Sequence, residues 1–182
     1  MWASYLALVR DHPLAMAFGQ FALLGTAGEV LSAKIRSGQA GFAMGPAKLA
    51  LKALGWGLLG IYIKFMFVTA AAGVSGLVTY GALPQGVDTP GLAGALTTSV
   101  LMNAMLGPSM VILHRLIDNA IDRALGHAPL GWAGLSKGLM TLLWLWIPLH
   151  TLTFLQAKEV RIGMAAALSL VLGVVLGLAA KK

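Results

Sequence analysis

Cysteine is absent from the 182-residue chain, which excludes disulfides and thiolate metal sites. Charge is scarce as well: Asp, Glu, Lys and Arg make up 10% of the residues, and only six residues are acidic. The basic residues form no arm or patch, so the net charge of +7 does not point to nucleic acid. The sequence shows no nucleotide-binding loop, no metal-ligand spacing and no nucleophile beside a base. It therefore does not read as an enzyme and calls for no cofactor and no metal. A cleavable signal is not expected either. Arg10 and Asp11 interrupt the opening apolar stretch, and no small-residue cleavage site follows. Any import signal would then be internal.

Apolar residues fill the space that charge leaves. The chain is 58% hydrophobic and carries 23 glycines, far from globular averages. Charge-free runs cover 12–28, 65–87, 89–114, 138–157 and 162–180. Each reaches the roughly 17-residue lower limit for a bilayer crossing. Packed as a soluble core, these runs would leave too little polar surface to keep the chain dissolved. The expectation is an all-α integral membrane bundle, one domain over 1–182, with about five transmembrane helices. Their expected ranges are 13–33, 49–81, 91–118, 132–157 and 161–180, after a short interfacial N-terminal helix. The stretch 49–80 would span about 48 Å at 1.5 Å per residue, more than a hydrocarbon core of ~30 Å needs. Residues 49–60 are therefore expected to be partly interfacial, with 34–47 a basic loop and 119–131 a polar loop. Trp2, Tyr5, Trp56 and Trp132 are the expected interface anchors, since amphipathic rings settle at headgroup depth.

Basic residues test this topology. With five crossings, one side holds Arg10, Lys158 and Arg161. The other holds Lys34, Arg36, Lys48, Lys52, Arg115, Arg123, Lys181 and Lys182. Lys64 and Lys137 fall within or at the edge of segments. The asymmetry places the C-terminal side in cytoplasm or mitochondrial matrix. Small residues recur four apart at Gly41/Gly45, Gly134/Gly138 and Gly173/Gly177, as close helix packing in lipid requires.

Few polar positions interrupt the apolar segments. Lys64 either snorkels to the headgroups or lines a path for anions. His150 could relay protons, contact a quinone or simply bond to a neighbouring helix. A bis-histidine haem is excluded, because His12, His114 and His127 do not share its depth. Pro148 and Pro108 remove backbone donors and predict kinks. Ser99, Asn103 and Gly107 form one small, polar stripe that serves as glue between helices or, less favourably, as a pore wall. Glu29 ends its helix near Lys34 and Arg36, where an interfacial ion pair is expected and a gating role is the alternative.

Three stretches resemble the Mpv-seventeen and peroxisomal-membrane-protein-twenty-two family. The opening carries Trp2-x-x-Tyr5, His12-Pro13 and Gly28-Glu29-x-x-Ser32 at the spacing of the family's W-x-x-Y, H-P and G-[DE]-x-x-S. Asn103, five residues before Pro108, is similar to the family's D-Q-x-x-x-A-P. The segment from Trp146 to Arg161 is similar to W-P-x-x-Q-x-x-N-F-x-x-V-P-x-x-x-R, with Ile147 inserted between Trp146 and Pro148. The resemblance implies a small helical protein of mitochondrial inner or peroxisomal membranes, without a cofactor, some members being non-selective channels. Because the family's polar positions in helices two to four are replaced here, a structural role comes first. The expectation is an accessory subunit of a large mitochondrial inner-membrane complex, of respiratory-chain or ATP-synthase type. Its partners would be neighbouring membrane subunits and lipids such as cardiolipin. The alternative is a small-solute channel, and a bacterial inner membrane or a peroxisomal membrane satisfies the same charge rule.

Overall fold

Proline starts and glycine stops set the long helices. In the computed structural model, which describes residues 1–38 and 44–179, every regular element is a helix. A short α1 (Trp2–Asp11) leads into α2 (Pro13–Ser37), and α3 (Pro46–Tyr80) follows. Both α2 and α3 open on a proline in the first turn, whose missing N–H would be unpaired there in any case. Each ends on a glycine with left-handed backbone, Gly38 at φ 64° and Gly81 at φ 83°, a conformation costly for other residues. The next rod comprises α4 (Leu92–Leu101), a π turn at Met102–Leu106 and α5 (Gly107–Ala124). A second composite rod joins α6 (Leu135–Thr141), a π turn at Leu142–Trp146 and α7 (Ile147–Phe154), before α8 (Arg161–Ala179).

Several boundaries differ from the sequence expectation. Helix α2 continues to Ser37, because Gly38 is the first residue to take the left-handed turn; Lys34 and Arg36 are thus helical and not in a loop. Helix α5 continues to Ala124, so the first part of the polar loop expected at 119–131, residues 119–124, is helix. Gly134 does not belong to a helical Gly134/Gly138 pair, since it precedes α6 with φ 77°. Gly41, Lys181 and Lys182 lie outside the described residues, and so do the readings that used them. The two kinks take the form of π turns. Just before Pro108, the N–H of Gly107 bonds to the carbonyl of Met102, and before Pro148 the N–H of Ile147 bonds to that of Leu142. Each is a five-residue step back, so one extra residue absorbs the clash that proline would cause.

Among the described residues, three helices are long and apolar enough to cross a membrane: α2, α3 and the continuous Leu92–Ala124 rod. Arg161–Val175 is a shorter apolar helix. Helix α2 lies between α8 and α3, α3 packs on α5, and α4 packs on α7. The α2–α8 seam is built from glycine. A side chain at Gly173 would strike the backbone carbonyl of Gly28, and a Cβ at Gly28 would fall 2.8 Å from the carbonyl oxygen of Ser169. Gly177 likewise faces Ser32 and Ile35. Lipid tails are as apolar as the helices, so such backbone approach supplies much of the association. At the other end Tyr5 accepts a hydrogen bond from Gln20 Nε2 at 3.1 Å and stacks on Trp2. Arg10 reaches Glu159 at 3.3 Å in the turn before α8. Glu159's own backbone N–H and the Arg10 guanidinium hold that carboxyl below the usual range.

Gly173→Leu should therefore separate α8 from α2. We expect a loss of about 1–3 kcal/mol, the usual range for overpacking, in SDS-titrated unfolding followed by circular dichroism. Gly76→Leu, at a glycine with open space around it, is the control that should stay near wild type.

Candidate functional site

Three helices converge on one ammonium group. Lys52 on α3 is 7% exposed. Its Nζ lies 2.7 Å from Glu29 Oε2 on α2 and 2.7 Å from Asp118 Oδ1 on α5. The second oxygen of Glu29 accepts the indole N–H of Trp56 at 2.8 Å and faces His114 Nε2 at 3.3 Å. That same nitrogen is 3.7 Å from Asp118, and carboxylates only accept, so Nε2 carries a hydrogen. One turn further out, Lys48 Nζ meets Asp122 Oδ1 at 2.7 Å. Lysines four apart on α3 thus meet aspartates four apart on antiparallel α5, and the two bridges form a ladder.

The placement revises two sequence expectations. Glu29 pairs with Lys52 and His114 rather than with Lys34 and Arg36. Lys34 is five residues on and so about 140° round the helix, while Arg36 is about 10 Å further along the axis. Trp56 is not an interface anchor but part of the core, 8% exposed. Its ring fills the space left by Gly25 and lies 4.6 Å from the His114 ring, and Glu29 satisfies its N–H inside the bundle. Trp2 and Trp132 do face outward, and Tyr5 is partly covered. Lys52 and His114 are not among the expected site residues, because Lys52 falls in the stretch 49–60 expected to be partly interfacial and His114 at the flank of an apolar run. The matched spacings Lys48-x-x-x-Lys52 and Asp118-x-x-x-Asp122 were the available signal.

From this cluster a cavity of about 400 Å³ runs into the middle of the bundle. Glu29, His114, Arg115, Asp118 and Lys137 line its charged end, and Met66, Phe67 and Met102 its apolar part. At the inner end lie Asn103 and His150. Asn103 Nδ2 donates to the carbonyl of Ser99 at 2.8 Å, which identifies the amide nitrogen, and meets His150 Nδ1 at 3.1 Å. His150 Nδ1 must then accept, so the ring is neutral and its hydrogen is on Nε2. Ser99 is fully buried and donates to the carbonyl of Ile147 at 2.7 Å, linking α4 to the second composite rod. Of the five polar candidates, Glu29, Asn103 and His150 line the cavity. Ser99 lies behind its wall, and Lys64 does not border it. Both π turns do, and Gly107 after the first packs on Leu142 of the second.

Glu29, His114 and Asp118 each present a ligand atom, all within 4.8 Å of one another, a set that suits a divalent cation. The Lys52 ammonium already sits against both carboxylates and supplies the balancing charge. Compared with known proteins, the chain matches no protein-family model, no curated protein and no solved structure.

Removing Lys52 would leave two carboxylates facing each other in a poorly solvated site. Lys52→Met should cost about 3 kcal/mol or more, the range for breaking a buried pair. Adding Glu29→Gln and Asp118→Asn should restore much of that loss, since no unpaired charge then remains. SDS-titrated unfolding of both variants checks the ordering, and an equally unstable triple variant would contradict it.

Proposed function

We propose that the chain is a divergent member of the Mpv-seventeen and peroxisomal-membrane-protein-twenty-two family, with five crossings and a pathway for small solutes through its bundle. Helix directions support the five crossings. Contacts of Glu29 with Lys52, of Lys48 with Asp122 and of Gly138 with Val111 pair successive segments antiparallel. Gly28–Gly173 and Ser32–Gly177 set α8 parallel to α2, as an odd number of crossings requires. If α2 crosses, α8, lying along it, crosses with it. The end bearing Lys34, Arg36, Lys48 and Arg123 would then face mitochondrial matrix, or cytoplasm in a bacterial inner membrane.

The observation that carries the solute reading is the cavity. Charged side chains line one end of it, apolar side chains follow, and Asn103 of the Leu92–Ala124 rod and His150 of α7 lie at the other end. Phe67 lines this inner end, and its ring stacks on Phe154 with centroids 4.9 Å apart. On this reading the cavity is a vestibule and the stacked ring pair is its closed gate.

The accessory-subunit reading has one observation of its own. In the most apolar window of α2, and of the Leu92–Ala124 rod, only 28% is buried inside the bundle. Large faces are therefore left for lipid, cardiolipin included, or for neighbouring subunits of an inner-membrane complex. The sequence placed this reading first because it offered no chemistry; the cavity and its charged mouth reverse the order.

Reconstituted into planar bilayers, the purified chain should conduct. Asn103→Leu and Thr141→Phe, which alter the inner end and fill the lining, should lower the unit conductance. A silent bilayer containing correctly folded protein would overturn the pathway. Native mass analysis from the source membrane then decides for the accessory role if the chain travels within a large assembly.

A further inference from the structure

The inner end of the cavity has an unused donor. Asn103 spends its two amide hydrogens on Ser99 and His150 Nδ1, which leaves His150 with its hydrogen on Nε2. No protein acceptor meets that N–H among the described residues. Thr26 Oγ1 and Asn119 Oδ1 are the sealed, unpartnered side-chain atoms there, and His150 Nε2 is not one of them, so it keeps open space beside it. His150 lines the apolar cavity, and an N–H there without an acceptor costs free energy unless one comes to it. The ring is also held rigidly for this purpose. Trp146 stacks on it at 5.0 Å, and Phe67 meets it edge-on at 5.4 Å.

The walls describe what the acceptor is attached to. Beside His150 they are the Phe67 and Trp146 rings, and elsewhere they include Met66, Met102 and Met110, whose unbranched thioethers adapt to flat or irregular groups. The volume of about 400 Å³ lies within the usual range for small-molecule sites. There is a way out at apolar depth as well. Helix α6 packs on α5 but makes no substantial contact with α2 or α8. The cavity lies between them, with Gly138, Thr141 and Leu142 on one side and Ser169, Leu172 and Gly173 on the other.

We propose that this cavity binds a neutral, lipid-soluble molecule of the quinone class, ring inward with a carbonyl oxygen on His150 Nε2, and isoprenoid tail leaving between α6 and α8. A fatty-acid carboxylate held at the mouth by Arg115 and Lys137 is the competing occupant. It fits less well, for two reasons. Glu29 and Asp118 line the same mouth, and an alkyl tail reaching inward would leave the His150 donor unpaired. A divalent cation at Glu29, His114 and Asp118 would have to displace Lys52. The quinone site shares its cavity with the solute pathway but not its conduction. A chain that conducts without binding quinone overturns this inference alone, and one that binds quinone in a silent bilayer overturns the pathway alone.

The test is titration of the full chain in mild detergent with a benzoquinone bearing a single isoprene unit, read by tryptophan quenching and native mass spectrometry. Trp146 and Trp56 border the cavity and report its occupancy. Saturable one-to-one binding is expected. His150→Phe should weaken it about tenfold or more, as loss of one hydrogen bond in a dry site does. His150→Gln, which keeps a donor, should recover part of the affinity. Thr141→Phe, which blocks the cavity without touching His150, should abolish binding, and Arg115→Gln should leave it unchanged. Binding that is indifferent to His150→Phe and to Thr141→Phe overturns the proposal. So does displacement of the quinone by oleate at an affinity that falls in Arg115→Gln, which would assign the cavity to a fatty-acid carboxylate.

Discussion

An ammonium group inside an apolar bundle needs two things at once: opposite charge close by and no freedom to leave it. Lys52 has both, with carboxylates from two different helices each 2.7 Å away. That requirement fixes the relative height of α2, α3 and α5 within about one residue, since a shift of one turn would carry each partner about 5.4 Å along its axis. Other features follow from the same placement. Asp118 and Asp122 can take part only because α5 runs on to Ala124. Trp56 can be buried only because Glu29, already held by Lys52, also accepts its N–H. The charged mouth of the cavity is the outer face of this knot.

The cavity itself results from two unlike seams. Between α2 and α8, glycine brings backbone against backbone, and no space remains. Between the two composite rods, Ser99, Asn103 and His150 make specific polar contacts near the π turns, while the α6 half stays clear of α2 and α8. A π turn inserts one residue and rotates everything beyond it by about 100° relative to an unbroken helix. The faces of α5 and α6 that meet the cavity are therefore not those an uninterrupted 3.6-residue pattern would select.

This explains where the sequence was readable and where it was not. Composition and charge-free runs led to the helical, membrane-type character, and proline and glycine punctuation located the helices to within a few residues. Asn103 and His150 stood out because polar groups are rare in apolar segments. The ends were less legible. Polar residues such as Asn119, Asp122 and Arg123 looked like a loop, although Asp122 pairs with Lys48 on α3 and Asn119 donates to the carbonyl of Gly131. The same ambiguity hid Lys52, since a lysine near a helix start is usually solvated. The π turns left no mark beyond their prolines, and a pairing between residues 52 and 118 is tertiary information that local spacing suggests only when both halves of the ladder are compared.

Polar groups inside a membrane bundle need a reason, because glycine seams can associate helices without them. Ser99 has such a reason within the fold: it is sealed, bonded to Ile147, and has no open side. The Lys48–Asp122 bridge lies toward the end of the bundle and matches the ordinary stabilising ladder. The Glu29–Lys52–Asp118 knot and the Asn103–His150 pair differ, because each borders the same empty volume from opposite ends. A packing role accounts for the hydrogen bonds these residues make with one another. It does not account for a cavity placed between them, nor for a cavity-lining histidine whose Nε2 has no protein acceptor among the described residues. Those two features, rather than the ion pairs themselves, are what the proposed ligand site rests on.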